Sequence, residues 1–251
     1  MISNSNDQYA GQVQKPAPRY NLMQRLRKSP ITLILIAVTT VVYLLQIMVS
    51  FITGVSWMEI LFAKVNTGLL QGQVWRLITP ILLHGSMLHI LLNMYALLII
   101  GPSLERVYGQ GRFLGLYLIA GVWGNTLSYL LTPAVSLGAS TAIFGLIVAQ
   151  VVLIFRNRDF YGRAAQPLLI NLAVVIVLNL MLGFAPGIDQ WGHIGGLLGG
   201  LIYAWLCGPV FSAGDSLFGF MLNEEPRIPY RLIFISELAV AILVVIITIV
   251  M

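Results

Sequence analysis

The chain has 251 residues, of which 58% are hydrophobic and only 9% are charged, and its mean hydropathy is +0.89. These values exclude a soluble globular domain and indicate a protein that crosses a membrane several times. The apolar runs lack the short alternation of an outer-membrane barrel, so helical spans are expected. The single cysteine, Cys207, excludes an intramolecular disulfide and a cysteine-based metal cluster.

The first 80 residues predict a tail, one span and an interfacial segment. Residues 1–30 are polar, carry Pro16 and Pro18 and end in a basic group, which indicates a disordered cytoplasmic tail. The apolar run 31–52 is too long for the core of a signal peptide, so it is predicted to remain as the first span. Residues 53–80 mix aromatic and charged side chains and are expected to lie in the membrane interface.

Six more apolar segments follow. The second to sixth spans are predicted at 81–100, 113–131, 140–155, 167–182 and 191–207. The sequence thus predicts a six-span core over residues 31–208, a cytoplasmic linker over 209–231 and a seventh transmembrane helix over 232–251. The expected fold class is an all-α membrane protein, with six helices in a bundle, an additional C-terminal span and the interfacial segment between the first two spans.

The basic residues give the orientation. If the amino terminus is cytoplasmic, twelve of the 14 Lys and Arg residues lie on the inner side, and only Lys64 and Arg76 lie outside. The chain is therefore predicted to be a multi-pass protein of the cell (inner) membrane. Its net charge of +5 reflects this topology and does not indicate nucleic-acid binding.

The fourth span is short. A helix over residues 140–155 is roughly 24 Å long, whereas the hydrocarbon layer is ~30 Å thick. Its outer end is therefore expected below the membrane surface, beneath a water-filled hollow that opens to the outside.

Five polar side chains inside or beside the spans are candidate functional groups, because such residues are costly in lipid. Ser140 begins the fourth span and His193 lies near the start of the sixth, which makes them a candidate nucleophile and base at one membrane depth. His89 and Asn93 share a face of the second span and are candidate oxyanion donors, with the Ser140 backbone N–H as a third. Their alternative role is interhelical hydrogen bonding that serves packing alone. His84 points elsewhere and is expected to hold the interfacial segment by hydrogen bonding.

Small and aromatic residues support this pairing. Phe144 follows Ser140 by one turn, placed so that the His193 ring can rest on it, and Gly196 lets a helix approach beside the histidine. A stripe of small residues on the fourth span points away from Ser140 and is predicted to pack on a helix other than the sixth span: Gly138, Ala142, Gly145 and Ala149.

Asp189 is the only acid within reach of His193, and it is expected in the outer loop or at the helix cap. A Ser–His dyad is therefore predicted in preference to a triad. Two other classes of site are disfavoured. The histidines diverge, with no carboxylate or thiolate to complete a metal shell, so no metal and no cofactor are expected. A transporter or channel is disfavoured because the halves show no internal repeat and the polar groups cluster at one depth.

Several motifs occur in order along these spans, and together they resemble the rhomboid intramembrane serine proteases of the six-plus-one form: Trp75-Arg76, His84-x4-His89-x3-Asn93, Gly101-x3-Glu105-x3-Gly109, Gly138-Ala139-Ser140 and His193-Ile194-Gly195-Gly196. The resemblance covers nearly the whole chain from the first span to the sixth.

This resemblance implies a rhomboid-like fold and cleavage of a peptide bond in or beside a transmembrane segment. Ser140 resembles the nucleophile and His193 the base and then acid, while His89 and Asn93 resemble the oxyanion-hole side chains. The expected partners are single-span membrane protein substrates and the lipid bilayer, and the oligomeric state is left open. The interfacial segment and the fifth span resemble the elements that border substrate entry. Supporting positions are expected at His84, Phe144, Trp75, Arg76, Gly138 and Gly196.

One residue departs from the family pattern, which usually reads Gly-x-Ser-Gly. Thr141 replaces the last glycine, and a β-branched residue would spoil the oxyanion hole if that position required a glycine-only conformation. We instead expect Thr141 in the first helical turn, where right-handed dihedral angles suit it. The departure keeps one alternative open, a non-proteolytic rhomboid-like protein that binds transmembrane helices.

Overall fold

The computed structural model describes residues 27–183, 185, 187–213, 220–223 and 229–250. Residues 1–26 of the predicted tail, and residues 214–219 and 224–228 of the predicted linker, lie outside the described residues.

Ten α-helices are described and are numbered in chain order. Their bounds are α1 Pro30–Thr53, α2 Trp57–Phe62, α3 Asn66–Leu70, α4 Met87–Tyr108, α5 Gln110–Leu131, α6 Ser140–Arg156, α7 Arg158–Tyr161, α8 Ala165–Leu182, α9 Gln190–Cys207 and α10 Tyr230–Val250. Within the described ranges, five stretches are long and apolar enough to cross a membrane: Pro30–Thr53, Met87–Tyr108, Gln110–Leu131, Arg158–Leu182 and Tyr230–Ile247. The shorter α6 and the glycine-rich α9 complete the bundle. The predicted all-α membrane fold is confirmed.

The second span begins later than predicted. Residues 74–77 and 79–82 form two 3₁₀ turns, and α4 starts only at Met87, where the Ser86 hydroxyl accepts a hydrogen bond of 3.2 Å from the His89 N–H. Serine in this position satisfies one of the free N–H groups at a helix start. The helix then continues past residue 100 to Tyr108. As a result, His84 lies in the segment before the helix and not within it.

Glu105 joins the carboxyl-terminal part of α4 to the start of α1. Its two carboxylate oxygens accept hydrogen bonds from the backbone N–H groups of Ile31 and Thr32, each of 2.8 Å, and from the Thr32 hydroxyl at 2.7 Å. A buried carboxylate at a helix amino terminus satisfies free N–H groups and interacts favourably with the helix dipole. The first span is thereby fixed against the second.

Glycines bring α5, α6 and α9 together at the centre of the bundle. A side chain at Gly200 of α9 would collide with the Gly145 backbone, and one at Gly145 would collide with Ala120 of α5. Gly145 therefore packs against α9 as well as α5. The prediction that its stripe avoids the sixth span is wrong at this position, because helical periodicity gives a face but not the neighbour that covers it.

The predicted linker contains two short β-strands. Strand β1 (Val210–Ala213) pairs antiparallel with β2 (Phe220–Asn223), in the register Val210↔Asn223. Asn157, at the end of α6, anchors this hairpin. Its side-chain oxygen accepts from the Phe211 N–H at 2.6 Å and its amide donates to the Pro209 carbonyl at 3.1 Å. The hairpin therefore follows directly from the carboxyl end of α9 and is fastened to the carboxyl end of α6.

Candidate active site

The structure brings Ser140 and His193 together from two helices. Ser140 is the first residue of α6, and its Oγ lies 3.0 Å from Nε2 of His193, which is in the first turn of α9. The Phe144 ring stacks on the imidazole with centroids 4.4 Å apart and planes inclined by 24°. The ring of His193 is thus held by a flat apolar surface while its edge meets the hydroxyl.

Two glycines shape the approach to this pair. Gly138 has a φ of +131°, which residues with side chains rarely adopt, and its N–H donates to the Pro80 carbonyl at 2.9 Å. A Cβ at Gly138 would stand 2.7 Å from Nε2 of His89 and 3.6 Å from Oγ of Ser140. Gly196 lies against the carbonyl oxygen of Thr141, where any side chain would collide. The imidazole of His89 and the serine hydroxyl therefore converge beside Gly138.

The two predicted oxyanion side chains differ in their surroundings. His89 is half-buried and its ring lies near the serine, whereas Asn93 is buried one turn further along α4. The Asn93 amide donates one of its two hydrogens to the His89 carbonyl at 3.0 Å. The ring of His89 is the candidate that converges with Ser140 beside Gly138.

His84 contacts the serine loop and not only the interfacial segment. Its Nε2 lies 3.5 Å from the Ala139 N–H, which donates to it, and its ring meets the His89 ring edge-on at 4.9 Å. Burial, with a smaller contribution from His89, lowers the pKa of His84 to about 4, so the ring is neutral and able to accept. The side chain of Gln46 in α1 holds the His84 backbone. Its amide oxygen accepts from the His84 N–H at 3.1 Å, and its amide nitrogen donates to the His84 carbonyl at 3.3 Å.

Sequence reasoning missed Gln46. A glutamine inside the first span is a costly polar residue, and that is the signal that would have found it.

Thr141 lies in the first turn of α6, as expected. No residue other than glycine has a positive φ in the described part of the chain, so its backbone is right-handed. The side chain is buried between Gly124 of α5 and Gly192 of α9, and its hydroxyl has no hydrogen-bond partner among the described residues. A threonine therefore fits after the serine without backbone strain.

Trp75 and Arg76 lie in the interfacial segment, away from the pair. The buried guanidinium of Arg76 donates to the carbonyl groups of Ala63 and Ile60 at 2.7 Å each, and the Trp75 indole donates to the Leu61 carbonyl at 3.1 Å. Together they fasten the turns that follow α3 to the carboxyl end of α2. Their contacts in the structure hold this segment together.

Lys64 and Asp189 form a polar cluster that sequence reasoning did not connect. Lys64 is fully buried, and its ammonium donates to the carbonyl groups of Thr132 and Ala134, at 2.9 and 2.7 Å. Asp189 caps α9, because its Oδ1 accepts from the Gly192 N–H at 3.0 Å, and it also accepts from the Thr132 hydroxyl at 3.2 Å. A lone lysine in an interfacial segment gives no sequence signal for such burial.

Comparison with known proteins assigns the family. The model of the rhomboid domain matches residues 71–210, which is more than half of the chain and includes every residue of the site except Lys64 and Gln46. The chain belongs to the rhomboid family.

Among similar rhomboid proteins, the rhomboid protease GluP of Bacillus subtilis is 45% identical over 143 residues, which are 57% of this chain and 28% of GluP. YdcA of the same organism is 36% identical over 144 residues, 57% of this chain and 71% of YdcA. RHOMBOID-like protein 5 of Arabidopsis thaliana is 40% identical over 139 residues, 54% of this chain and 45% of that protein. The aligned stretch is therefore less than two thirds of the length of two of these three relatives.

Proposed function

We propose that this rhomboid is an intramembrane serine endopeptidase that cleaves transmembrane or juxtamembrane segments of membrane proteins through a Ser140–His193 dyad. The observation that carries the proposal is the 3.0 Å distance between Oγ of Ser140 and Nε2 of His193, on an imidazole stacked against Phe144. Hydroxyl and base at hydrogen-bond distance are the signature of an activated nucleophile. The similarity to GluP, which is named a rhomboid protease, supports the same activity.

In this proposal the Ser140 hydroxyl attacks the carbonyl carbon of the scissile peptide bond while Nε2 of His193 takes its proton. The tetrahedral intermediate then collapses, the C–N bond breaks, and the imidazolium returns the proton to the departing amine. Water, deprotonated by the same imidazole, hydrolyses the acyl ester and regenerates the serine. Each proton that His193 accepts is thus released again within one turnover.

The oxyanion of the intermediate requires hydrogen-bond donors that lie close to the serine. The His89 ring, which converges with Ser140 beside Gly138, supports a role as one donor, and the Ser140 backbone N–H at the start of α6 is a second. The Asn93 amide carries two hydrogens, and donating one of them to the His89 carbonyl leaves the other as a candidate further donor. We therefore assign the oxyanion to the His89 ring and the Ser140 N–H, with Asn93 as the third donor.

The proposed location is the cell (inner) membrane, with the amino terminus in the cytoplasm and the site open to the outer side. The excess of basic residues on one side supports this orientation. α6 has 17 residues and is about 26 Å long, so its start at Ser140 is expected below the membrane surface. The proposed substrates are single-span membrane proteins whose helix enters from the bilayer.

The experiment is cleavage of a single-span substrate with a helix-destabilising segment, using the purified full chain in lipid vesicles. Wild-type protein is expected to release two fragments, and Ser140→Ala is expected to release none. The matched control is Ser56→Ala, which removes an exposed serine in front of α2. Equal cleavage by Ser140→Ala would refute the proposed nucleophile.

The alternative is a non-proteolytic rhomboid that binds transmembrane helices, and its support is the departure of Thr141 from the usual Gly-x-Ser-Gly pattern. Under this alternative, the wild-type chain binds the same single-span substrate in vesicles without cutting it. Fragments that depend on Ser140 would exclude it.

A further inference from the structure

The start of α9 carries a carboxylate directly ahead of the histidine. Asp189 is the residue before this helix, and the His193 N–H donates to the Asp189 carbonyl at 3.2 Å. The Asp189 side chain turns back over the first turn of α9, where its Oδ1 accepts from the N–H of Gly192, the residue directly before His193. The acid and the imidazole therefore belong to the same helix start.

Gly192 makes room for this carboxylate. A Cβ at Gly192 would stand 2.8 Å from Oδ2 of Asp189 and 3.2 Å from the methyl group of Thr141. Any larger residue would push the acid away from the helix start. The carboxylate therefore occupies space that exists only because residue 192 has no side chain.

Lys64 and Thr132 hold the carboxylate in place. The Thr132 carbonyl accepts from the Lys64 ammonium while its hydroxyl donates to Asp189, so one residue connects the cation to the anion. The Lys64 backbone also pairs with that of Ser136, at 2.9 and 3.1 Å. Burial lowers the pKa of Lys64 to about 8, while the charge of Asp189 opposes this shift, and the ammonium remains protonated at neutral pH.

Asp189 is kept ionised in this cluster. Burial alone would raise its pKa, but the hydroxyl groups of Ser128 and Ser136, the Gly192 N–H and the charge of Lys64 lower it below the ordinary value. The acid is thus present as a carboxylate at the pH at which a histidine base operates.

Two buried atoms at this helix start lack a hydrogen-bond partner among the described residues, although the Ser128 and Ser136 hydroxyl groups lie near the carboxylate and lower its pKa. The two atoms are Nδ1 of His193 and Oδ2 of Asp189. When Nε2 of His193 accepts the serine proton, Nδ1 carries a hydrogen and requires an acceptor, while an ionised carboxylate oxygen requires a donor. Buried groups of this kind are costly when unpaired, so the two are complementary.

We propose that Asp189 is a positioning residue for His193: its Oδ2 accepts the Nδ1 hydrogen of the imidazolium, directly or through one water, and Lys64 fixes it there through Thr132. The carboxylate stays ionised throughout and exchanges no proton. The inference rests on the proposed protease function. It adds to the dyad an orienting acid that reaches the site from the loop before α9, and a lysine from the interfacial segment.

The test compares kcat and KM for the full chain in lipid vesicles, with the single-span substrate described above. Asp189→Asn keeps an equally good helix cap and an acceptor for Gly192 and Thr132 but removes the charge. We expect kcat to fall about tenfold or more, with KM within about twofold and an unchanged melting temperature. The control is Asp159→Asn, an exposed acid on α7, which is expected to leave kcat unchanged.

Lys64→Met extends the test, because it removes the cation from the other end of the cluster. Its kcat should fall as well, and the double variant should fall no further than Asp189→Asn alone, since both residues act through one carboxylate. If Asp189→Asn does not fold, Thr132→Val serves instead, with an expected loss in kcat of about threefold.

The outcomes separate the two proposals. A kcat of Asp189→Asn, or of Thr132→Val in its place, equal to that of wild type overturns the positioning role but leaves the protease intact. A loss of melting temperature in Asp189→Asn that accounts for the loss of active protein also overturns it, because a purely structural cap explains the result. Cleavage that persists in Ser140→Ala overturns the proposed function itself.

Discussion

Helices α8 and α9 both pack against α6, yet they do so in opposite ways. All 18 residues of α8 are described, and Ala165 alone among them is buried, whereas nine of the 18 residues of α9 are buried. Five glycines in α9 let its backbone approach α5 and α6 closely, but the branched side chains of α8 keep that helix at a distance. The proposed catalytic pair therefore lies on two helices whose backbones pack closely against each other.

This difference assigns separate tasks to the two helices. A base that must stay at hydrogen-bond distance from a serine benefits from a helix locked against its neighbour, because small displacements cost much of the rate. A helix that contacts few buried groups can move at little cost to the rest of the bundle. The prediction that α8 borders substrate entry fits this division of tasks and remains a prediction.

The largest effect is expected when a larger side chain forces α6 and α9 apart, because the tight packing of α9 is proposed to hold the catalytic pair. Gly196→Val places a branched side chain where the Thr141 carbonyl lies. Overpacking of this kind typically lowers the free energy of unfolding by about 1–3 kcal/mol, and here the collision is with backbone, which places the cost at the upper end. We expect cleavage to fall more than about a hundredfold, with a lower melting temperature. A variant that retains wild-type activity would show that the tight contact does not position the pair.

A smaller loss is expected when the histidine loses its stacking partner. Phe144→Leu keeps an apolar side chain but removes the aromatic face, and such contacts contribute about 0.5–1.5 kcal/mol. We expect kcat to fall about three- to tenfold. The control is Phe155→Leu on the same helix, whose ring is half exposed and far from the dyad. Equal effects of the two changes would contradict a specific role for the stack.

Thr141→Gly restores the usual family pattern and should matter more for stability than for rate. Glycine near a helix start and the loss of a buried side chain together cost about 1–3 kcal/mol. Because the backbone at Thr141 is already right-handed, we expect kcat/KM to stay within about threefold of wild type. A tenfold rise would mean that the threonine restricts the oxyanion hole.

The smallest effect is expected on α8. Leu178 is 54% exposed, so Leu178→Ala should change the free energy of unfolding by less than about 0.5 kcal/mol. Cleavage should remain within about twofold of wild type. A loss comparable to that of Gly196→Val would show that α8 is packed as firmly as α9, and the proposed difference between the two helices would be wrong.

The sequence predicted the spans to within a few residues wherever apolar periodicity extends to the helix ends. It failed at the start of the second span, because the 3₁₀ turns before Met87 are as apolar as the helix that follows. Within the predicted linker, the structure adds a short strand pair that the sequence analysis did not predict. Hydropathy measures burial in lipid and does not distinguish a tight turn from a helix.

For the site, the sequence predicted the residues that are proposed to carry the chemistry, but it did not predict the residues that hold them in place. Ser140, His193 and Phe144 were found because spacing along a helix gives a face and a depth. The contacts of Gln46 with His84, and of Lys64 with the loop before α6, join positions far apart in the chain. No local pattern encodes such contacts, so only the fold reveals them.

The central claim is that the hydroxyl of Ser140 is activated by His193, and a fluorophosphonate reporter tests it most directly. In the wild-type chain we expect one labelled peptide, the one that contains Ser140. We expect no labelling of Ser140→Ala and almost none of His193→Ala, compared at equal protein concentration and equal melting temperature. Label on another residue, or undiminished label in Ser140→Ala, would contradict the account.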